Sequence, residues 1–201
     1  MLRLSREPDE NAFHPDFMPA NGDHRLAAML APEDGRLHRP AAVLVPVIAH
    51  PIEASVLLTH RAQHLKDHAG QIAFPGGKID EHDASPIDAA LREAEEEIGL
   101  DRSFVEPLGF LDPYLSSTGY RILPVIALVK PGFLLTPDAR EVESVFETPL
   151  GFLMDPARHE EHSREWRGAE RRYFAMPYKE HYIWGVTAGI LRTLYERLFA
   201  T

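Results

Sequence analysis

A helix with a marked start and stop lies in the middle of this sequence and constrains the fold more than any other segment. Ser85 suits the N-cap, Pro86 suits the first helical turn, and Asp88 is placed to complete a capping box. Gly99 is the residue type that most often ends a helix, because glycine adopts the left-handed conformation without steric cost. The pattern predicts a helix over residues 86–98.

The segments around this helix are mostly strand-like. Apolar and β-branched runs bounded by turn residues predict strands at 41–48, 55–61, 71–74, 104–115, 121–130, 142–147 and 171–176. Pro46 lies inside the first run, so an edge or bulged strand is expected there. A helical turn at 150–154 and a closing helix at 186–199 complete the pattern. Strands outnumber helices and one helix lies in mid-chain, which indicates an α/β (α+β) fold with a mixed sheet sandwiched between helices.

The chain divides into an arm and one domain. Its 201 residues correspond to about one domain, large enough to bury a core without disulfides or a structural metal. Residues 1–39 are rich in Pro, Asp, His and Gly, which predicts a partly ordered N-terminal arm with a short helix at 24–30. Residues 40–201 are expected to form the folded domain.

Charge and composition exclude several classes of protein. The absence of cysteine excludes a thiolate zinc site and a cysteine nucleophile. With 21 basic and 31 acidic residues, the net charge of −10 argues against a nucleic-acid partner. The N-terminus has no apolar core of signal-peptide length, and the longest apolar stretch, 41–49, falls far short of the ~20 residues of a membrane helix. We expect a soluble cytoplasmic protein with no membrane anchor.

Three glutamates share one surface of the predicted helix. At about 100° per residue, Glu93, Glu96 and Glu97 fall together at spacing i, i+3, i+4. Like charges at this spacing cost roughly 0.2–0.5 kcal/mol per pair, and a divalent cation removes that repulsion. Carboxylate oxygens suit Mg²⁺ or Mn²⁺. A solvated acidic face is the alternative, but the run also follows a Gly-Gly turn, adjoins Arg92 and ends in Ile-Gly-Leu.

This segment resembles a known family motif. The run 92–100, Arg-Glu-Ala-Glu-Glu-Glu-Ile-Gly-Leu, is similar to the R-E-U-x-E-E-x-G-U half of the Nudix box, where U is apolar, and Gly77 matches the opening glycine of the box. Asp83 stands where the family usually has a glutamate, and eight residues rather than the usual seven separate it from Arg92. The resemblance implies a Nudix-type α/β/α sandwich with a mixed β-sheet.

A second, narrower resemblance precedes the box. The stretch 57–61 (Leu-Leu-Thr-His-Arg), then Leu65, His68 and the run 70–77 (Gly-Gln-Ile-Ala-Phe-Pro-Gly-Gly), is similar to the extra signature of the coenzyme A pyrophosphatase branch of Nudix hydrolases. That branch also accommodates the aspartate form of the box and the longer spacing. The similarity extends over roughly residues 41–198.

The resemblance implies hydrolysis of a pyrophosphate bond in a nucleoside diphosphate linked to another moiety. For coenzyme A or an acyl-CoA, the products are 3′,5′-ADP and 4′-phosphopantetheine or its acyl form. A diphosphate is repelled by an acidic site unless cations intervene, so Mg²⁺ or Mn²⁺ is the expected cofactor. By the family pattern Glu96 and Glu97 are the core metal ligands, Glu93 assists them, and the carbonyl of Gly77 supplies a further ligand.

Other candidate residues carry weaker signals. The resemblance implies that Arg92 holds a carboxylate of the box in position, and that Glu141 serves as an extra ligand or general base, although an ordinary strand-edge glutamate fits equally well. Arg61 and Lys78 are candidate phosphate contacts, with surface roles as the alternative. The loop hydroxyls Ser117 and Thr118 are also substrate-binding candidates, with a purely structural loop as the alternative.

Remaining alternatives concern the aromatic residues, the substrate and the class of protein. Tyr182 and Trp184 are expected in core or dimer packing rather than as a shelf for an adenine, and a homodimer is a possible assembly. His60, His64 and His68 do not share a metal-ligand pattern.

Two alternative functions remain open. An ADP-ribose, nucleoside-diphosphate-sugar or dinucleotide hydrolase is the second hypothesis. A non-catalytic Nudix-fold ligand sensor is the third, although such modules normally lose the glutamates that this chain retains.

Overall fold

A computed structural model of the chain describes residues 4–14, 17–26, 38–166 and 168–199. The strands are β1 (Asn21–Gly22), β2 (Arg39–Ile48), β3 (Ser55–Arg61), β4 (Ile72–Ala73), β5 (Gly76–Lys78), β6 (Val105–Phe110), β7 (Tyr114–Leu115), β8 (Tyr120–Val129), β9 (Val142–Pro149), β10 (Glu160–Trp166), β11 (Ala169–Tyr178) and β12 (His181–Trp184). The helices are α1 (Pro86–Ile98), α2 (Leu150–Leu153) and α3 (Val186–Phe199), with 3-10 turns at Asp23–Arg25, Arg102–Phe104 and Pro156–Arg158.

A mixed sheet forms the centre of the domain. Strand β2 pairs along its whole length with β8 in parallel, and β3 pairs antiparallel with β2, β4 and β9. Strand β6 and the short β7 pair antiparallel with β8, and β5 pairs with the start of β2. A separate antiparallel sheet has the order β10-β11-β12.

Both faces of the central sheet are buried, as expected for a sandwich. On β2, Ala42, Leu44 and Ile48 belong to the core beneath α1, whereas Ala41 and Val45 belong to the core beneath α3. This alternation follows from the two-residue period of a strand. Helix α1 packs on β2 and β5, and α3 packs on β11 and β12. The predicted α/β/α sandwich with a mixed sheet is confirmed.

Helix α1 begins and ends at the predicted residues. The side chain of Ser85 accepts a hydrogen bond from the backbone N–H of Asp88 at 3.1 Å. Gly99 has φ of 69°, the left-handed conformation, and its N–H bonds back to the last helical turn. The closing helix also matches its predicted bounds.

The expectation that Pro46 marks an edge or bulged strand is wrong. Strand β2 is central, and Pro46 is in regular parallel register with Ala127. The other side of β2 pairs with β5 at residues 41–43 and with β3 at residues 47–48, so Pro46 lies in the gap between these ladders. A central strand can therefore carry this proline without losing a cross-strand bond on that side.

Other strand boundaries differ from the sequence pattern. The single strand expected at 104–115 is two strands, β6 and β7, because its ladder with β8 is interrupted at residues 111–113. Four steps along this segment, from Phe110 to Tyr114, correspond to three along β8, from Val125 to Ile122. The strand expected at 71–74 is only the two-residue β4. Strands β1, β5, β10 and β12 were not predicted. Most of the helix expected at 24–30 lies outside the described residues, since only 24–26 are described there.

Residues 4–14 and 17–26, from the segment expected to be an N-terminal arm, lie against the rest of the fold. Ser5 forms an isolated antiparallel bridge with Phe110, and β1 pairs in parallel with β7. The guanidinium of Arg121, 3% exposed, donates hydrogen bonds to the backbone carbonyls of His14 and Phe17. The arm therefore reaches the end of the sheet where β7 turns into β8.

Candidate active site

Helix α1 presents its carboxylates toward the turn that carries β5. Its apolar face, formed by Ala90, Ala94 and Ile98, is buried against the sheet. That contact fixes the rotation of the helix. As a result Glu93 and Glu97, one helical turn apart, line the same cleft as β5.

Glu97 is a buried carboxylate, only 4% exposed. Its Oε2 accepts a hydrogen bond from the backbone N–H of Gly76 at 3.1 Å, and its Oε1 lies 3.5 Å from Nη1 of Arg61. Burial raises the pKa of Glu97 to about 7, and the negative charges of Glu93 and Glu141 add to the effect. A cation beside this group would stabilise its ionised form.

Glu93 is packed closely against the glycine turn. Burial raises the pKa of Glu93, although its ion pair with Arg92 acts in the opposite direction. A Cβ atom added at Gly77 would lie 2.5 Å from the Glu93 carboxyl carbon. Only glycine therefore lets the main chain approach this carboxylate so closely.

Arg92 links four groups around the helix start. Its Nε and Nη2 each donate to the carboxylate of Asp83 at 2.9 Å, while Nη1 donates to Glu93 at 3.0 Å and Glu96 at 3.2 Å. Nη2 also donates to the carbonyl of Lys78 at 3.2 Å. The Arg92 guanidinium holds the pKa of Asp83 below its usual range. Arg92 thus positions the loop and the helix carboxylates relative to each other.

A cleft of about 660 Å³ joins these groups. Such a volume is in the range of ligand-binding pockets. The predicted site residues that line it are Arg61, Gly77, Lys78, Arg92, Glu93, Glu96, Glu97, Thr118 and Glu141. Ser117 instead lines a smaller adjoining pocket, where its backbone N–H donates to Asp23 at 2.7 Å.

Glu141 enters the cleft from the segment before β9. It is exposed, and its backbone N–H donates to the carbonyl of Asp138 at 2.9 Å. Its carbonyl accepts from the N–H of Ala62 at 2.9 Å, which fixes this segment next to the end of β3. The same segment is tied to α1, because the N–H of Asp138 donates to the carbonyl of Glu97 at 2.9 Å.

Some cleft residues carry no recognisable signal in the sequence, such as Thr187 and Ile190, which line the cleft from α3. Gln71, which belongs to the signature before the box, lines the cleft just before β4. His68 also lines it and contacts Gln71 through Nδ1 at 2.9 Å, whereas His64 contacts the carbonyl of Arg140. Nothing in the periodicity of α3 indicates which of its residues faces a ligand. Their location depends on packing between distant segments.

The donor set suits a hard divalent cation. Within the described ranges, no group of three or more His, Asp or Glu side chains is arranged to enclose a metal ion. Arg61 and Arg92 pair with carboxylates of the cleft, burial raises the pKa of Glu97, and Gly77 lets the main chain lie close to the Glu93 carboxylate. Oxygen donors of this kind fit Mg²⁺ or Mn²⁺.

Comparison with known proteins identifies the family. Residues 37–176 match the NUDIX domain. The chain is 45% identical over 157 residues to the uncharacterized Nudix hydrolase NudL of Escherichia coli K12, covering 78% of this chain and 81% of the relative, and equally so to NudL of Shigella boydii. The crystal structure of the Nudix hydrolase RenU from M. smegmatis aligns with a TM-score of 0.51 and 26% identity, covering 63% of this chain and 81% of that one.

The chain therefore belongs to the Nudix hydrolase family, whose members hydrolyse pyrophosphate bonds of small molecules and generally use divalent metal ions. The resemblance seen in the run 92–100 is confirmed at the level of the family. Across the part of the chain that is described, no helix is both long and apolar enough to span a membrane.

Proposed function

We propose that this Nudix hydrolase cleaves the pyrophosphate bond of coenzyme A or an acyl-CoA, giving 3′,5′-ADP and 4′-phosphopantetheine or its acyl form. The observation that carries the proposal is the location of the signature that precedes the box. Arg61, Gln71, Phe74 and Gly76 of that signature line the same cleft as the helix glutamates. The signature is therefore in a position to contact the substrate.

We further propose the roles of the acidic residues. Glu93, Glu96, Glu97 and the backbone carbonyl of Gly77 would hold Mg²⁺ or Mn²⁺. When bound, the ions neutralise the diphosphate charge and lower the pKa of an attacking water. Glu141 is the candidate general base, because its exposed carboxylate lies in the cleft and can accept a proton from water.

The basic residues have two different tasks in this proposal. Arg92 is a positioning residue, since its hydrogen bonds are to carboxylates and to the Lys78 carbonyl. Arg61 and Lys78 line the cleft and contact phosphate oxygens, Thr118 offers a hydroxyl in the cleft, and Ser117 offers one in the adjoining pocket. Water attacks one phosphorus, the bond from that phosphorus to the bridging oxygen breaks, and the other phosphate leaves with that oxygen.

We also propose residues 40–201 as the hydrolase domain and residues 1–39 as an arm attached to it.

A substrate panel tests the reaction. The purified protein is incubated with coenzyme A, acetyl-CoA, ADP-ribose, a nucleoside-diphosphate sugar and a dinucleoside polyphosphate in Mg²⁺ or Mn²⁺. Products are identified by mass spectrometry in ¹⁸O-labelled water, which shows which phosphorus is attacked. We expect 3′,5′-ADP and 4′-phosphopantetheine from coenzyme A. Cleavage of ADP-ribose with coenzyme A left untouched would overturn the substrate assignment.

Matched glutamine variants test the site. Glu97→Gln and Glu96→Gln should remove nearly all turnover while circular dichroism shows an unchanged fold. Glu95→Gln is the control, because this neighbouring glutamate is exposed and pairs with Arg102 at 3.1 Å outside the cleft. Full activity in either of the first two variants would overturn the metal-ligand assignment.

A further inference from the structure

A second pocket opens directly from the cleft. It has a volume of about 100 Å³ and shares His68, Gln71, Thr118, Trp184 and Val186 with the cleft, so the two spaces are continuous. This volume is well below that of a complete ligand site. The pocket therefore suits one compact group of a molecule whose main part lies in the cleft.

Two arginines of the β10–β11 hairpin line this pocket. Arg164 and Arg171 are direct register partners, so their side chains project from the same face of the hairpin. The Arg164 guanidinium lies 4.7 Å from the centre of the Trp184 ring, which fixes it at the pocket wall. Each of the two arginines also makes a further contact within the protein. A guanidinium has five N–H donors, so it can serve an anion in the pocket as well.

Two other charged residues, Asp23 and Arg172, line the pocket and have partners of their own. Asp23 lines it, but its carboxylate accepts hydrogen bonds from the Tyr114 hydroxyl at 2.8 Å and from the Ser117 N–H at 2.7 Å. Arg172 also borders the pocket, but alternates to the other face of β11 and pairs with Glu161 at 2.9 Å. A chain with a net charge of −10 thus places two guanidinium groups beside an acidic cleft.

We propose that Arg164 and Arg171 bind a phosphomonoester of the substrate that is separate from the diphosphate being cleaved. The proposal rests on the proposed function, because it requires the diphosphate to lie at the glutamates of α1. The substrate class is then a nucleoside diphosphate derivative with an additional phosphate on its ribose. Arginine is suited to this task because its planar guanidinium can donate two parallel hydrogen bonds to phosphate oxygens.

Paired substrates test this specificity in the full chain. The ratio of kcat/KM is measured for coenzyme A against 3′-dephospho-coenzyme A, and for NADPH against NADH, with Mg²⁺ present. Loss of charge-assisted hydrogen bonds predicts that Arg164→Gln/Arg171→Gln lowers kcat/KM for the phosphorylated member by roughly 10- to 100-fold. The unphosphorylated member should change by less than about threefold. Arg102→Gln/Arg158→Gln is the control, with the same charge change at arginines that line neither pocket.

A binding measurement separates this proposal from the proposed function. Quenching of Trp184 fluorescence is followed in a Trp166→Phe background during titration with 3′,5′-ADP or with 5′-AMP. We expect 3′,5′-ADP to bind about tenfold more tightly, and the hairpin double variant to abolish the difference. Equal affinity for the two nucleotides, or a preference that survives in the double variant, would overturn the phosphate subsite. If that preference is present but the wild-type protein cleaves no diphosphate substrate, the proposed function fails and the subsite stands.

Discussion

The guanidinium of Arg92 donates two hydrogen bonds to the carboxylate of Asp83, each 2.9 Å long. Asp83 also accepts a hydrogen bond from the N–H of Asp80 at 2.8 Å, so its carboxylate closes the loop that precedes α1. The loop is one residue longer than in the usual box, and the side chain is one methylene shorter. The carboxylate still reaches Arg92, because the longer loop folds back onto the first turns of the helix.

Removing this carboxylate should release Arg92 and weaken the site. Asp83→Asn keeps the size of the side chain but loses the charge assistance of both hydrogen bonds, for an expected cost of about 1.5–3 kcal/mol in the free energy of unfolding. Arg92 is then free to pair more tightly with Glu93 and Glu96, so the concentration of Mn²⁺ needed for half-maximal activity should rise. Urea unfolding and metal titration measure the two effects.

Asp80→Asn is the matched control for this change. Its carboxylate is 64% exposed and lies 3.8 Å from Arg92, so its loss should cost well under 1 kcal/mol, as for an exposed ion pair. Equal effects of the two substitutions would contradict a specific positioning role for Asp83.

Adding a methyl group at Gly77 should damage the site more than the fold. The new Cβ of Gly77→Ala would lie 2.5 Å from the carboxyl carbon of Glu93, and this flexible side chain can move away. We expect a loss of stability of about 1 kcal/mol or less, but a fall in kcat of at least about tenfold, because a displaced ligand loses its transition-state interaction. Thermal unfolding and steady-state kinetics distinguish the two.

Gly151→Ala provides the comparison. Gly151 lies on α2, outside the cleft. A Cβ atom added there would lie 3.3 Å from the carboxylate of the exposed Glu53. This variant should keep its activity. If Gly77→Ala also retains full activity, close approach of the main chain to Glu93 has no catalytic purpose.

The bounds of α1 could be predicted from local sequence signals, whereas the pairing of distant strands could not. The caps of α1 and its apolar period lie within a short segment, so its bounds followed from Ser85 and Gly99 alone. The location of Pro46 depends on where β5 and β3 end along β2, which local propensity does not encode. Strand β10 was missed because its sequence, Glu-Glu-His-Ser-Arg-Glu-Trp, lacks an apolar alternation.

The candidate site shows the same division. The glutamates and Arg92 were placed together because helical spacing fixes their relative positions. Asp23 comes from the arm and reaches the second pocket through long-range contacts, such as the pairing of β1 with β7. Trp184 was expected in core or dimer packing, and it lines both the cleft and the pocket. Its exposure to a ligand space depends on β12, a strand that the sequence pattern did not indicate.

Arg121 should control the attachment of the N-terminal arm. Arg121→Met removes the donors to the carbonyls of His14 and Phe17, and burying unpaired carbonyls costs about 1–3 kcal/mol. The arm can avoid that cost by detaching, while methionine in the buried site keeps the domain folded. Chymotrypsin cleavage after Phe17, followed by mass spectrometry, should accelerate by about tenfold.

We expect the global melting temperature of Arg121→Met to fall only slightly, while its rate of cleavage after Phe17 rises. Arg158→Met is the control, because this arginine is 59% exposed and pairs with Asp155 away from the arm. Unchanged cleavage at Phe17 would show that other contacts, such as the bridge from Ser5 to Phe110, hold the arm by themselves.

His159 should make the protein less stable in mild acid. Its Nε2 lies 2.8 Å from the carbonyl of Leu153 and its Nδ1 lies 3.5 Å from the Arg192 guanidinium, an arrangement that suits a neutral ring. Burial lowers the pKa of His159, and the charge of Arg192 lowers it further. The unfolded chain binds this proton near pH ~6.5, whereas the folded chain binds it only at lower pH. Between these two values the unfolded state holds more protons, so stability is complete above the unfolded pKa and declines as the pH falls toward the folded pKa.

Urea unfolding of the wild-type protein and of His159→Gln at pH 7.5, 6.5 and 5.5 tests this linkage. Glutamine can still donate to the Leu153 carbonyl but does not titrate, so the variant should lose less stability on acidification than the wild type. The difference should amount to about 1.4 kcal/mol for each unit by which the fold lowers the histidine pKa. His82→Gln, at an exposed loop position, controls for the loss of an imidazole elsewhere in the chain. Parallel curves for the wild type and His159→Gln would mean that the half-buried imidazole accepts its proton as readily in the folded chain as in the unfolded one.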